Sequence, residues 1–241
     1  MRKMYLSAPL PFVGQKRMLA KEFMKVLEQY PDGTLFVDLF GGSGLLSHIT
    51  KSLKPHSTVI YNDFDNYRFR MKHIPQTNQL LADIREMVGN SVPRHKIIKG
   101  ELRERIFSRI EQEENSTGYV DFITLSSSIL FSMKYKLSVQ DMRKEALYNN
   151  IRKTGYPECT DYLEGLEIVS CDYKEVFNRY KDIPGVVFLV DPPYLSTDVG
   201  TYNMYWNMAD YLDVLNVLKG HSYVYFTSNK SSILELCVDT N

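Results

Sequence analysis

The sequence predicts an α/β protein, a doubly wound sheet carrying a mainly helical insertion. Three observations predict it. Strand-like and helical patterns alternate at both ends of the chain, the strand-like runs are continuously apolar, and residues 66–165 carry helical patterns with no strong strand. Continuous apolar runs suit strands covered on both faces, as in parallel sheets flanked by helices. Alternation of the two patterns is the signature of an open α/β sheet, and a helical block inside it reads as an insertion.

The elements follow in order. Residues 15–29 read as a helix, with Met18, Leu19, Phe23, Val26 and Leu27 at spacings of three and four and "PDG" as the stop. "TLFVDLF" is a buried strand, "GGSG" a tight turn, and Leu45, Leu46, Ile49 and Leu53 mark the next helix. "STVIYND" is the second strand. The insertion includes the helical stretches "GELRERIFSRIEQEE" and "VDFITLSSSILFSMKY". Strands return at "LEIVSCD", "VVFLVD" and "SYVYFTS"; helical "YKEVFNRY" separates the first two, and "MADYLDVLNVLKG" precedes the last. Residues 1–65 and 166–241 therefore form one discontinuous domain around a helical domain at 66–165.

Composition narrows the class. At 241 residues the chain can bury a large core as one domain with an insertion. No run approaches the ~18 apolar residues of a membrane span. The N-terminal "MRKMYLSAPLPF" is basic but broken by Pro9 and Pro11, so it does not read as a secretory signal, and a cytoplasmic setting is the expectation. Cys159, Cys171 and Cys237 are odd in number and form no C-x-x-C pair, against a disulfide framework or a zinc site. The formal net charge is +0, yet residues 134–153 hold six basic side chains (Lys134, Lys136, Arg143, Lys144, Arg152, Lys153) and two acids. That run is either a solvated helical face or a phosphate-contacting patch.

The chemistry gathers at strand ends. In "VDLFGGSG" the glycines let backbone approach a ligand closely, but neither the dinucleotide spacing G-x-G-x-x-G nor the phosphate loop is complete. Asp38, just before them, would repel a phosphate and suits a cationic or amino-bearing ligand. Asp63 closes the second strand, where nucleotide-type folds place an acid on ribose hydroxyls; Asp65 reads as a helix cap. Asp172 follows the third core strand, as a ligand contact or a plain N-cap. Asp191 ends the fourth in "FLVDPPYLST". There Pro192 and Pro193 stop the strand and stiffen the backbone that carries Tyr194. Four acids at the carboxyl edge coincide with the place where open α/β sheets bind ligands.

These residues resemble the Dam-type (D12 class) DNA adenine-N6 methyltransferases. The resemblance rests on Phe12-Val13-Gly14-Gln15-Lys16, on Asp38-Leu39-Phe40-Gly41-Gly42-Ser43-Gly44 and on Asp191-Pro192-Pro193-Tyr194, supported by "YNDFD" and "CDY". It implies a Rossmann-like sheet that uses S-adenosylmethionine, with a target-recognition insertion and no metal. By resemblance Phe12, Gly14, Lys16, Asp38, Phe40, Gly42, Gly44, Asp63, Asp172 and Asp191 line the cofactor site, Asp38 near its amino group, Asp63 on the ribose and Asp172 on the adenine amino group. The Asp191 carboxylate and the Pro192 carbonyl would hold the amino hydrogens of the target adenine, while Tyr194 stacks on that base flipped out of double-stranded DNA. The basic run at 134–153 is where phosphate and base contacts are expected. A monomer or weak dimer is expected. The family also runs on through further C-terminal strands, so their absence here leads one to expect an exposed sheet edge. An RNA adenine or guanine methyltransferase and a truncated, inactive cofactor- or DNA-binding relative are the alternatives; the long insertion favours DNA.

Overall fold

The computed structural model describes residues 3–131, 135–193 and 208–226. Its main sheet has five parallel strands: β1 (Phe36–Asp38), β2 (Val59–Asn62), β5 (Glu167–Val169), β6 (Val187–Val190) and β7 (Ser222–Tyr225), in the order β5-β2-β1-β6-β7. Val37 lies opposite Ile60 on one side and Phe188 on the other. From β1 the chain steps outward to β2 and β5, then crosses back to β6. The direction of winding therefore reverses between β1 and β6, and their carboxyl ends flank the crevice that such a reversal opens.

Side chains alternate across this sheet with period two. Phe36, Val59, Val187 and Leu189 pack on one face with Ala20, Phe23 and Leu27 of α1 (Ala20–Glu28) and Leu45, Leu46 and Ile49 of α2 (Leu45–Leu53). Val37, Ile60, Phe188 and Val190 pack on the other with Val176 and Phe177 of α8 (Tyr173–Tyr180) and Val214 and Leu218 of α9 (Met208–Leu218). Burial on both faces explains the unbroken apolar runs in the sequence. α8 coincides with "YKEVFNRY".

The helical block has its own apolar cluster. It joins α3 (Tyr67–Lys72), α4 (Ile74–Val88), α5 (Gly100–Thr117), α6 (Phe122–Ile129) and α7 (Val139–Arg143) through Tyr67, Leu81, Ile84, Phe107, Leu125 and Met142. Leu10 and Tyr162 belong to the same cluster, so the N-terminal segment packs on the block.

Three sequence expectations need correction. The helix expected over residues 15–29 starts as a 3-10 turn, Arg17–Leu19, before α1, and Met18 lies outside the core. The helix expected over "VDFITLSSSILFSMKY" ends at Ile129, because Leu130 is extended and bridges to Leu147. The block also contains an antiparallel strand pair, β3 (Ile97–Ile98) with β4 (Leu147–Tyr148). Two residues per strand are too few to leave a period-two pattern. The segment after Phe226, on which the expectation of an exposed sheet edge bears, lies outside the described residues.

Candidate active site

A cavity of about 550 Å³ opens at the carboxyl edge of the sheet, within the range of small-molecule sites. Its wall combines Phe12 to Lys16, the turn after β1 from Leu39 to Ser43, residues after β2, the start of α8, and Asp191 to Pro193 after β6. Arg70, Ile123 and Leu137 close it from the helical block, and Asp210 from α9.

The glycine turn is shaped for close approach. Gly42 has a φ of 49°, and a Cβ there would lie 3.0 Å from the Phe12 ring, so the residue type keeps that wall open. Gly44 does other work. It is not a lining residue; at a φ of 71° it precedes α2, and a Cβ would meet Leu163 at 2.9 Å. Phe12 stands edge-on to Tyr67 at 5.8 Å, and Phe40 tilts against Tyr173 at 4.9 Å. Both rings reach the cavity.

Asp191 and Lys16 form its charged centre. Lys16 Nζ lies 2.5 Å from Asp191 Oδ1 and donates to the Gly14 carbonyl at 2.8 Å. Burial pushes the Asp191 carboxyl up to about 6, and the Lys16 ammonium opposes that rise. The Pro192 and Pro193 backbone continues the wall, and the Tyr211 hydroxyl on α9 donates to the Pro193 carbonyl. Tyr194 lies outside the described residues.

Two acids expected at the cofactor do not line the cavity. Asp38 is fully buried and does not line the cavity; its Oδ2 accepts from Ser47 Oγ at 2.7 Å, tying β1 to α2. Burial lifts its carboxyl to about 7, the Asp191 charge adds to this, and the Ser47 hydrogen bond opposes it. Asp63 is likewise consumed by the fold. Its Oδ1 accepts from the Tyr67 amide at 2.6 Å and lies 3.0 Å from the Tyr61 hydroxyl, and its Oδ2 accepts from the Arg68 amide at 3.1 Å. It is thus the acid that holds the start of α3, the role expected of Asp65. Asp65 instead faces the cavity, where surrounding protein and the Asp63 charge raise its carboxyl to about 6 while Arg70 opposes them. In the spacing D-F-D either acid satisfies the pattern, and only the direction of the turn separates them.

Asp172 caps α8 by accepting from the Lys174 amide at 2.8 Å, and it also lines the cavity. Sequence reasoning missed Asn62. Its Nδ2 donates to the Leu39 carbonyl at 3.0 Å and the Cys171 carbonyl at 2.9 Å, and its Oδ1 accepts from the Cys171 amide at 3.1 Å. One amide thereby ties together the ends of β1, β2 and β5. Its only sequence signal is a polar residue closing an apolar strand.

Three of the described residues in the basic run are ion-paired. Lys136 pairs with Glu145 at 3.1 Å, Arg143 with Glu104 at 2.7 Å and Glu111 at 3.0 Å, and Lys144 with Asp141 at 2.8 Å. Arg152 lies over the Tyr156 ring at 4.4 Å, Lys153 is exposed, and Lys134 lies outside the described residues. The acids that neutralise Arg143 come from α5, far away in sequence, so a local count of charges could not reveal them.

Among the described residues no group of three or more His, Cys, Asp or Glu side chains could hold a metal ion. No described helix is long and apolar enough to cross a membrane. A Haemophilus influenzae protein provisionally named a methyltransferase is 38% identical over 239 residues, covering 97% of this chain and 79% of that protein. The profile of the D12 class N6 adenine-specific DNA methyltransferases matches residues 12–230, through the glycine turn, the helical block and the Asp191 motif. The chain belongs to the D12 class N6 adenine-specific DNA methyltransferase family.

Proposed function

We propose that this methyltransferase takes its methyl group from S-adenosylmethionine and transfers it to the N6 atom of an adenine turned out of double-stranded DNA. The observation that carries the reading is the Lys16–Asp191 pair, set at the end of β6 in the wall of a cavity that the glycine turn shares.

The residues fit the donor. Gly42 leaves the wall open beside the Phe12 ring, and the carboxylates of Asp65, Asp172 and Asp191 reach the cavity, an environment for a ligand with positive charge, hydroxyls and amino groups. Phe12, Gly14, Phe40 and Gly42 would line the donor, Asp65 would take the hydroxyls in place of Asp63, and Asp172 an amino group. Bound there, the donor supplies an electrophilic methyl group on a sulfonium centre.

The rest is done by protein groups. An adenine amino nitrogen is a poor nucleophile because its lone pair is delocalised into the ring. Lys16 engages Asp191 Oδ1, so the second carboxylate oxygen is assigned one amino hydrogen and the Pro192 carbonyl the other. Accepting both favours a pyramidal nitrogen with an available lone pair, and deprotonation need not precede transfer. As the N–C bond forms, the S–C bond breaks to leave a neutral thioether, and the methylated nitrogen gives up one proton to solvent. Rigid prolines, with the Pro193 carbonyl bound by Tyr211, keep these acceptors preorganised, which is where most of the rate arises. Tyr194, by its place in the motif, is assigned to stack on the extruded base.

The residue block 66–165 is assigned to target recognition, and the protein to the cytoplasm as a monomer or weak dimer. Incubation with methyl-labelled S-adenosylmethionine and unmethylated duplex DNA, transfer RNA or ribosomal RNA, followed by nucleoside analysis, tests the reading. Label in N6-methyladenine from DNA is expected; label confined to RNA would overturn it.

A further inference from the structure

Met18 departs from the pattern of its own segment. It shares an apolar stripe in sequence with Phe23 and Leu27, which are buried, yet Met18 is 85% exposed and Leu19 39%. The 3-10 turn Arg17–Leu19 has fewer residues per turn than α1, which rotates these side chains off the buried stripe. The turn directly follows Lys16, the partner of Asp191. Arg17 is exposed, with no carboxylate at ion-pair distance among the described residues, whereas Lys136, Arg143 and Lys144 of the helical block are all paired. Lys16 and Leu137, which is 42% exposed, line the same cavity, so the 3-10 turn that follows Lys16 sits beside that wall.

A solvated cation beside an exposed, unbranched apolar side chain fits one partner well: a duplex from which a base has left. Such a duplex offers a phosphate to the cation and unstacked base faces to the apolar wedge. We propose that Arg17–Leu19 is a DNA-contacting rim in which Arg17 engages a backbone phosphate and Met18 enters the stack beside the extruded adenine, with Leu19 flanking it. The assignment rests on the base-extrusion reading above.

Two measurements test it. Binding of Arg17→Gln to unmethylated genomic duplex across a salt series should show a slope of log affinity against log salt shallower by about 0.9. An unchanged slope would overturn the phosphate contact. For Met18, the duplex site that the wild type methylates is prepared with 2-aminopurine at the target adenine, whose fluorescence rises when the base leaves the stack. The gain should fall several-fold in Met18→Ala and return in Met18→Leu. A full gain in Met18→Ala would overturn the wedge while leaving base extrusion intact, and no gain in the wild type would overturn both. Thermal unfolding of each variant should match the wild type, since the side chains are exposed.

Discussion

The sheet edge and the helical block treat charge in opposite ways. In the block, Glu104 and Asp141 have carboxyls below the ordinary range because Arg143 and Lys144 respectively hydrogen-bond to them. At the sheet edge, Asp38, Asp65 and Asp191 are pushed up, in each case chiefly by burial. Paired surface charges satisfy one another and stabilise little. Buried acids with few counter-charges cost stability, and a fold retains such a cluster where a ligand or a reaction uses it. The contrast supports the proposed site at the edge, even though the block carries the conspicuous run of basic residues.

The largest stability effect expected from this contrast lies at Asp38. Its folded carboxyl titrates at about 7 against about 3.8 unfolded. Between those values the folded chain keeps a proton that the unfolded chain has lost, so stability falls as pH rises through that window. At about 1.4 kcal/mol per unit the upper bound is on the order of 4 kcal/mol. Asp38→Asn keeps an oxygen for Ser47 and removes the titration. Denaturant unfolding from pH 4.5 to 8 should show the variant gaining on the wild type by a few kcal/mol as pH rises. Parallel curves would mean that the buried acid is not strained.

A smaller effect is expected at Lys16. Its ammonium holds Asp191 down against burial, so removing it raises that carboxyl further. Acceptor function requires the ionised form, hence the acid limb of kcat/KM, near about 6 in the wild type, should move up by about one unit in Lys16→Met. The pH profile of kcat/KM for DNA, taken at subsaturating DNA, reads this directly, and a limb that stays in place or moves down would break the assignment.

The smallest effect should come from the block. Arg143→Ala breaks exposed ion pairs with Glu104 and Glu111, for which a cost below about 1 kcal/mol is expected. Since those acids already neutralise the guanidinium, the salt slope of DNA binding should hardly change. A slope shallower by about 0.9 would restore the basic run as a phosphate contact.

Much of the sheet was legible in the sequence because β1, β2 and β6 are buried on both faces and each ends in, or is followed by, a polar residue. The doubly wound class follows from alternation with helices, and the edge acids could be seen as a set. Which acid faces the cavity was not legible. Asp63 and Asp65 differ only in where the turn after β2 directs them, and Asp38 turns inward to Ser47, a partner nine residues on. Met18 misled for a related reason: spacing assumes one helical period, and the chain uses a tighter one before Ala20. The ion pairs that neutralise Arg143 link α5 to the α7 stretch, and sequence neighbours carry no trace of them.

The central claim, that Asp191 acts as a preorganised acceptor for the amino group, is tested most directly by single-turnover methyl transfer to duplex DNA in Asp191→Asn beside the wild type. The amide has nearly the same shape but only one accepting atom, and no charge. The account expects N6-methyladenine to form about 100- to 1,000-fold more slowly, with the variant still folded and binding S-adenosylmethionine. Transfer at the wild-type rate would contradict it.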